Sequence, residues 1–148
     1  MTPTPTRDAM EQKVLELEGS LGALLEDDLS VPQRVFRRVW ELESEVNNGG
    51  FEQYILNGSG QYATQAVEAL AAIGALNCAA IVREALAMLG PQFPWNDEAA
   101  RHSALEAMGD AASDALEPFD TSFLAYPDDL TALLYAFVDQ HADEFDGV

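Results

Sequence analysis

Four carboxylates recur at steps of four, four and three residues: Glu106, Asp110, Asp114 and Glu117. On one continuous helix they would fill a sector of about 80°, with steps of about 6 Å along the axis. No Lys or Arg follows them, and like charges at that spacing cost a helix about 0.2–0.5 kcal/mol per pair. Such a row reads either as a solubilising face or as a rigid imitation of a phosphate backbone, whose charges repeat every ~3.4 Å of axis per strand. In the second reading the carboxylates could occupy a basic DNA-binding groove. Asp139, Asp143, Glu144 and Asp146 near the C-terminus would extend the row, whereas Asp128 and Asp129 read as helix N-terminal caps.

Other constellations that could carry chemistry are weaker. Glu98, His102 and Glu106 are spaced by four, so carboxylate and imidazole could converge on a metal, but one helix supplies an incomplete shell. His141 is far along the chain and no second helical Glu and His pair exists, so no metal is expected. The segment NGSGQYA (57–63) imitates a dinucleotide-binding fingerprint without the repeating strand and helix units that such a site needs, and it reads as a turn before a helix. No GxSxG, HExxH, P-loop or CxxC occurs, and neither histidine has an evident nucleophile partner. The expectation is a protein without catalytic residues and without a cofactor.

These residues must be positioned by a chain of 148 residues, near the usual size of one domain with one core. Lys and Arg number 7 against 26 Asp and Glu, a net charge of -19, whose field repels nucleic acid and anionic lipid and attracts basic surfaces. The imbalance is uneven: residues 102–148 carry 11 acids and no Lys or Arg. Cys78, the one cysteine, sits among Ala79, Ala80 and Ile81 and reads as a buried apolar side chain in a reducing compartment. The N-terminal stretch alternates Thr and Pro rather than forming a secretion signal, and no run is long enough to span a bilayer, so the expected location is cytoplasmic.

Helical spacing dominates the pattern. Residues 1–7 read as a disordered tail, and Met10, Val14, Leu17, Leu21 and Leu24 then line one face of a helix, with a bend expected at Gly19 and Gly22. Ser30, Pro32 and Gln33 form a capping box before the stripe Val35, Phe36, Val39, Leu42 and Val46, and Arg37 is expected to pair with Glu41 on the outer face. Asn47, Asn48, Gly49 and Gly50 should stop that helix, leaving residues 51–56 as the only candidate for a strand. Further helices are predicted up to Gly74, from an Asn77 cap to Gly90, from Asn96 or Asp97 to Pro118, and over Leu130, Leu133, Leu134, Phe137 and Val138. The fold class is therefore all-α, one domain over residues 8–148 with about six to eight helices.

The segment EVNNGGFEQYILNGSG (45–60), followed by ALAAIGA (69–75), resembles the bacterial DNA-mimic protein family, and the similarity extends over most of residues 30–145. Ile55 and Leu56 stand where that family would carry more aromatic residues. The resemblance implies an all-helical fold, homodimerisation, and occupation of a regulator's DNA-binding surface. It gives Asn47, Asn48, Gly49, Gly50, Phe51, Gln53, Tyr54, Asn57 and Gly60 a structural role and does not locate the binding site. The expected partner is a basic DNA-binding protein, a transcriptional regulator or a nucleoid-type protein, with no direct contact to nucleic acid or membrane. The alternatives are an acidic interaction module without DNA mimicry and a carboxylate and histidine metal enzyme.

Overall fold

Local signals at helix ends set most of the architecture. In the computed structural model, which describes residues 3–148, the Thr6 hydroxyl accepts the Ala9 N–H (3.2 Å) and caps α1 (Arg7–Gly22). The expected tail thus meets helix at its last residue, and Met1 and Thr2 lie outside the described residues. Of the two glycines where a bend or break is expected, Gly19 stays helical and Gly22 is the last residue of α1. Gly19 is exposed, and its propensity cost of about 1 kcal/mol is offset by burial of Val14, Leu17 and Leu21 on the opposite face.

The capping box forms as the spacing predicts. Ser30 Oγ accepts from Gln33 N (3.4 Å) and Gln33 Oε1 accepts from Ser30 N (2.8 Å), opening α2 (Val31–Leu56). Phe36, Val39, Leu42 and Val46 are buried along it. The expected outer pair of Arg37 with Glu41 is not made. Arg37 is buried, donates to the carbonyls of Leu21 in the last turn of α1 and of Leu24 just past it, and faces Glu26 (3.8 Å), while Arg38 takes Glu41 (3.1 Å) and also Glu26.

The NNGG segment interrupts this helix rather than ending it. Only Gly49 and Gly50 leave helical geometry, and residues 51–56 resume as helix, so the candidate strand is not one. A 3-10 turn (Gly58–Tyr62) leads into α3 (Ala63–Ala72), followed by α4 (Leu76–Ala87). Asn77 is not the cap of α4: Ala75 occupies that position, and Asp128 from the far end of the chain accepts from Cys78 N (2.7 Å) and Asn77 Nδ2 (3.0 Å). Asp129 caps the next-to-last helix by accepting from Ala132 N (3.2 Å), as expected.

The single helix expected between Asp97 and Pro118 is two. α5 (Glu98–Met108) stops at Gly109, which adopts φ 58° and donates its N–H to the carbonyls of Leu105 and Glu106, and α6 (Asp110–Leu124) starts at once. Pro118 lies inside α6 rather than ending it. Pro118 and Asp114, whose carbonyl loses its helical donor, are both exposed, so water can replace the missing bond. α7 (Leu130–Gln140) and the short α8 (Ala142–Phe145) complete eight α-helices, with no strand among the described residues.

α2 is the central element: α1, α3, α5, α6 and α8 all pack on it, α4 bridges α3 and α6, and α7 lies on α1. Phe51 and Phe123 meet edge to face at 5.8 Å where α6 crosses the interruption, a geometry worth about 0.5–1.5 kcal/mol beyond burial. Cys78 is fully buried, and burial pushes its thiol pKa up to about 12. Among the described residues no helix is long and apolar enough to cross a membrane.

Candidate functional site

Charge in this molecule is sorted by depth. Three of the seven cations are buried, Arg37, Arg38 and Arg101, at 8%, 2% and 1% exposure. Arg7 pairs with Glu11 (2.8 Å) and Asp129 (2.6 Å), and Arg34 faces Glu26 (3.6 Å). Among the described residues, Lys13 and Arg83 have no ion pair, and no Asp or Glu is buried. The surface is therefore more one-sided than the composition alone would make it.

All eight carboxylates singled out by spacing are exposed, but they do not form one row. Gly109 separates Glu106 on α5 from Asp110, Asp114 and Glu117 on α6, so the geometry of a single continuous helix does not apply to the set. Within α6 the three remaining groups keep steps of about 6 Å and about 4.5 Å along the axis.

The C-terminal group lies elsewhere. Glu144 offers its carbonyl to Gln33 Nε2 (2.7 Å), and Phe145 contacts the Phe36 ring (6.0 Å), so α8 sits at the beginning of α2. By contrast, Ser113 and Asp120 on α6 bond to Glu52 and Phe51 beyond the interruption. Those two regions of α2 are roughly 25 Å apart at helical rise. Asp139, Asp143, Glu144 and Asp146 therefore form a second acidic region and do not extend the first.

Two carboxylates without any local sequence signal join the α6 group. Glu52 accepts from the Ser113 hydroxyl (2.6 Å), and Asp120 accepts from Phe51 N (2.7 Å). Asp120 supplies from a distance the N-terminal cap that the resumed helix needs after Gly50. Burial pushes the Asp120 pKa up, the Phe51 N–H opposes that, and Glu117 and Glu52 push it further up.

The NNGGF…QY…NGSG residues build the interruption itself. Gly50 has φ 77° and ψ -176°, and a Cβ there would lie 2.6 Å from Asp120 Oδ2, so both backbone and space exclude a side chain. Glu45 Oε2 takes both Gln53 Nε2 (2.8 Å) and Asn57 Nδ2 (2.6 Å), clasping the segment across the break. Asn47 Nδ2 donates to the Glu43 carbonyl (2.8 Å) and to the Tyr126 hydroxyl (2.7 Å). Phe51 and Tyr54 are buried, and a Cβ at Gly60 would lie 2.5 Å from the Ile55 carbonyl oxygen. Asn48 is exposed at the helix surface. Arg101, at 1% exposure, fastens α5 to this region through Ile55 O (2.9 Å), Trp95 O (2.6 Å) and Asn57 O (3.0 Å).

The Glu98, His102 and Glu106 set does not converge. His102 Nε2 is 2.6 Å from the Leu56 carbonyl and 4.0 Å from Glu98, and no cluster of three or more His, Cys, Asp or Glu side chains with metal-binding geometry occurs among the described residues.

A family model described as DMP19-like protein matches residues 27–141. No curated protein and no solved structure matches. The matched span runs from before α2 to the end of α7, taking in the interruption and the α6 carboxylates but not Asp143, Glu144 or Asp146.

Proposed function

Because the chain belongs to the DMP19-like protein family, we propose that it is a non-catalytic acidic protein whose surface stands in for DNA phosphates on a basic DNA-binding protein. It competes with DNA for that partner, a transcriptional regulator or a nucleoid-type protein, and it does so in the cytoplasm, as a homodimer and without a cofactor. The observation that carries the reading is the sorting of charge, with three of the six guanidinium groups buried and no carboxylate buried on a helical frame. Rigid display matters because a preorganised array of charges binds without the ordering cost that a flexible acidic tail pays. Asp110, Asp114 and Glu117, with Glu52 and Asp120 beside them and Glu106 across the break, are the favoured contact face. Asp139, Asp143, Glu144 and Asp146 are the second.

The test is capture of partners from a lysate of the source organism on the immobilised full chain at low salt, with elution first by salt and then by duplex DNA. Release of one basic DNA-binding protein by duplex DNA supports the reading. Partner binding should weaken as salt rises, and the dependence of log K on log salt should become shallower with each Glu→Gln or Asp→Asn change on the α6 face. Binding that ignores both salt and DNA overturns the reading.

One observation favours a second reading, an interaction module that binds through apolar surface. Leu25 and Val31 are 73% and 72% exposed, and Val31 borders a groove formed with Val35, Ala69 and Ala72. Apolar contacts predict affinity that holds or rises with salt, the opposite of the phosphate-like case.

A further inference from the structure

We propose that Asn57–Gly58 is a self-modification site, at which the folded chain converts Asn57 to aspartate and isoaspartate through a cyclic succinimide with loss of ammonia. The reaction needs only water as co-reactant. Gly58 N loses its proton to solvent base and attacks Asn57 Cγ, forming the N–Cγ bond. The Cγ–Nδ2 bond then breaks, and the nitrogen leaves as ammonia with a proton from water. Water opens the ring at Cγ to give aspartate, or at the backbone carbonyl carbon to give isoaspartate. The net change is one amide nitrogen exchanged for one carboxylate oxygen, with no oxidation or reduction.

The groups around the bond favour loss of the Gly58 proton, and Asn57, at ψ 168°, then turns about its Cα–C bond to bring Gly58 N to Cγ. Removing the Gly58 proton spreads negative charge onto the Asn57 carbonyl oxygen, and that oxygen already accepts from Arg101 Nη2 (3.0 Å) and from Gly60 N (2.9 Å). A guanidinium that is 1% exposed holds its charge against this oxygen with little screening, in the manner of an oxyanion site. Gly58 has no side chain to hinder the approach, and nothing lies within 4 Å of where a Cβ would stand. Glu45 Oε2 holds Asn57 Nδ2 at 2.6 Å, which fixes which end of the side-chain amide is nitrogen.

The chain contains its own control. Asn48–Gly49 has the same dipeptide chemistry, but Asn48 belongs to the helical run of α2, and the Gln53 side chain lies where a Gly49 Cβ would be, covering that stretch of backbone. Asn77 and Asn96 precede Cys78 and Asp97, whose side chains hinder ring closure. Conversion at residue 57 sets a second carboxylate against Glu45 and removes one of the two amides of the clasp, so the modification acts on the interruption in α2.

The experiment is incubation of the full-length folded chain at mildly alkaline pH, followed by peptide mapping for the mass gain of amide loss and by isoaspartyl methyltransferase labelling. Asn57 should react about tenfold or more faster than Asn48, a threshold below the 10²–10³ that one oxyanion donor supplies. In the urea-unfolded chain the two rates should converge. Gly58→Ala, which the open space around Gly58 admits without disturbing the fold, should slow the reaction at Asn57 to the rate of Asn77. Equal rates at Asn48 and Asn57 in the folded chain, or an undiminished rate in Gly58→Ala, would overturn the proposal.

Discussion

Gly50→Ala tests whether the interruption in α2 is built as the geometry indicates. At φ 77° and ψ -176° the backbone is in a region essentially reserved for glycine, and a side chain there costs about 1–3 kcal/mol. The added Cβ would also lie 2.6 Å from Asp120 Oδ2, so the carboxylate must move away from Phe51 N, which it now accepts at 2.7 Å. Losing that cap costs about 1 kcal/mol more. The sum is about 2–4 kcal/mol, and at about 2–4 °C per kcal/mol for a chain of this size the Tm should fall by roughly 4–16 °C. Thermal and urea melts followed by circular dichroism read it directly. Asp120→Ala removes the cap and also the obstacle, so the double variant should be less destabilised than the sum of the singles by about 1 kcal/mol. A Gly50→Ala variant that melts within about 2 °C of the parent, or a strictly additive double variant, would refute the coupling.

Stability should peak at mildly acidic pH. Burial raises the folded-state pKa values of Glu18, Glu41, Glu43 and Asp120, so the folded chain holds more protons above about pH 4 and loses stability as pH rises through the raised values. Asp129 is held low chiefly by Arg7, and Asp128, despite burial, by the Cys78 and Asn77 donors; the stability these two contribute is lost as pH falls below about 4, so a Tm at pH 8 above that at pH 5.5 would contradict the balance. Arg101→Met should cost about 2 kcal/mol or more, because the Ile55 and Trp95 carbonyls lose their donor while Asn57 O keeps Gly60 N, and denaturant titration measures it. The Cys78 thiol, buried and with its pKa pushed up to about 12, should resist a thiol reagent in the native chain and react in denaturant. Neutralising Asp110, Asp114 and Glu117 together, against Asp139, Asp143, Glu144 and Asp146 together, should weaken partner binding through one set more than the other while leaving Tm equal or higher; equal loss from both would make general acidity the cause.

The fold class was legible because helical spacing and helix-end chemistry are local. Ser30 with Gln33 and Asp129 with Ala132 show capping within four residues, and the structure makes both as expected. What local reading missed was chemistry between distant elements. Asp128 caps a helix 50 residues earlier, Asp120 caps one 69 residues earlier, and neither pairing leaves a trace in spacing. Gly109 was the costlier miss for the site. A lone glycine in an otherwise periodic stretch costs only about 1 kcal/mol if the helix continues, so the sequence pattern alone favours continuation. The left-handed turn there splits the row of four, and the family match fixes membership without choosing between the two acidic regions.

The sorting of charge has a cause in the helix ends. Arg37 donates to carbonyls at the end of α1, and Arg101 donates to carbonyls at the end of α2, where the backbone has acceptors and no intrahelical donors. A guanidinium carries five donors and no acceptor, so it can be satisfied by carbonyl oxygens alone, aided by the negative end of the helix dipole. Among the described residues Arg101 has no carboxylate partner, whereas Arg37 also faces Glu26 (3.8 Å). Arg101 thus holds the end of α2 without drawing on the acidic surface. The interruption in α2 is held by Gly50, Glu45, Asn57 and Arg101, whereas Asp110, Asp114 and Glu117 on α6 and Asp143 and Glu144 on α8 are exposed and, among the described residues, make no side-chain hydrogen bond or ion pair, so the frame does not depend on them.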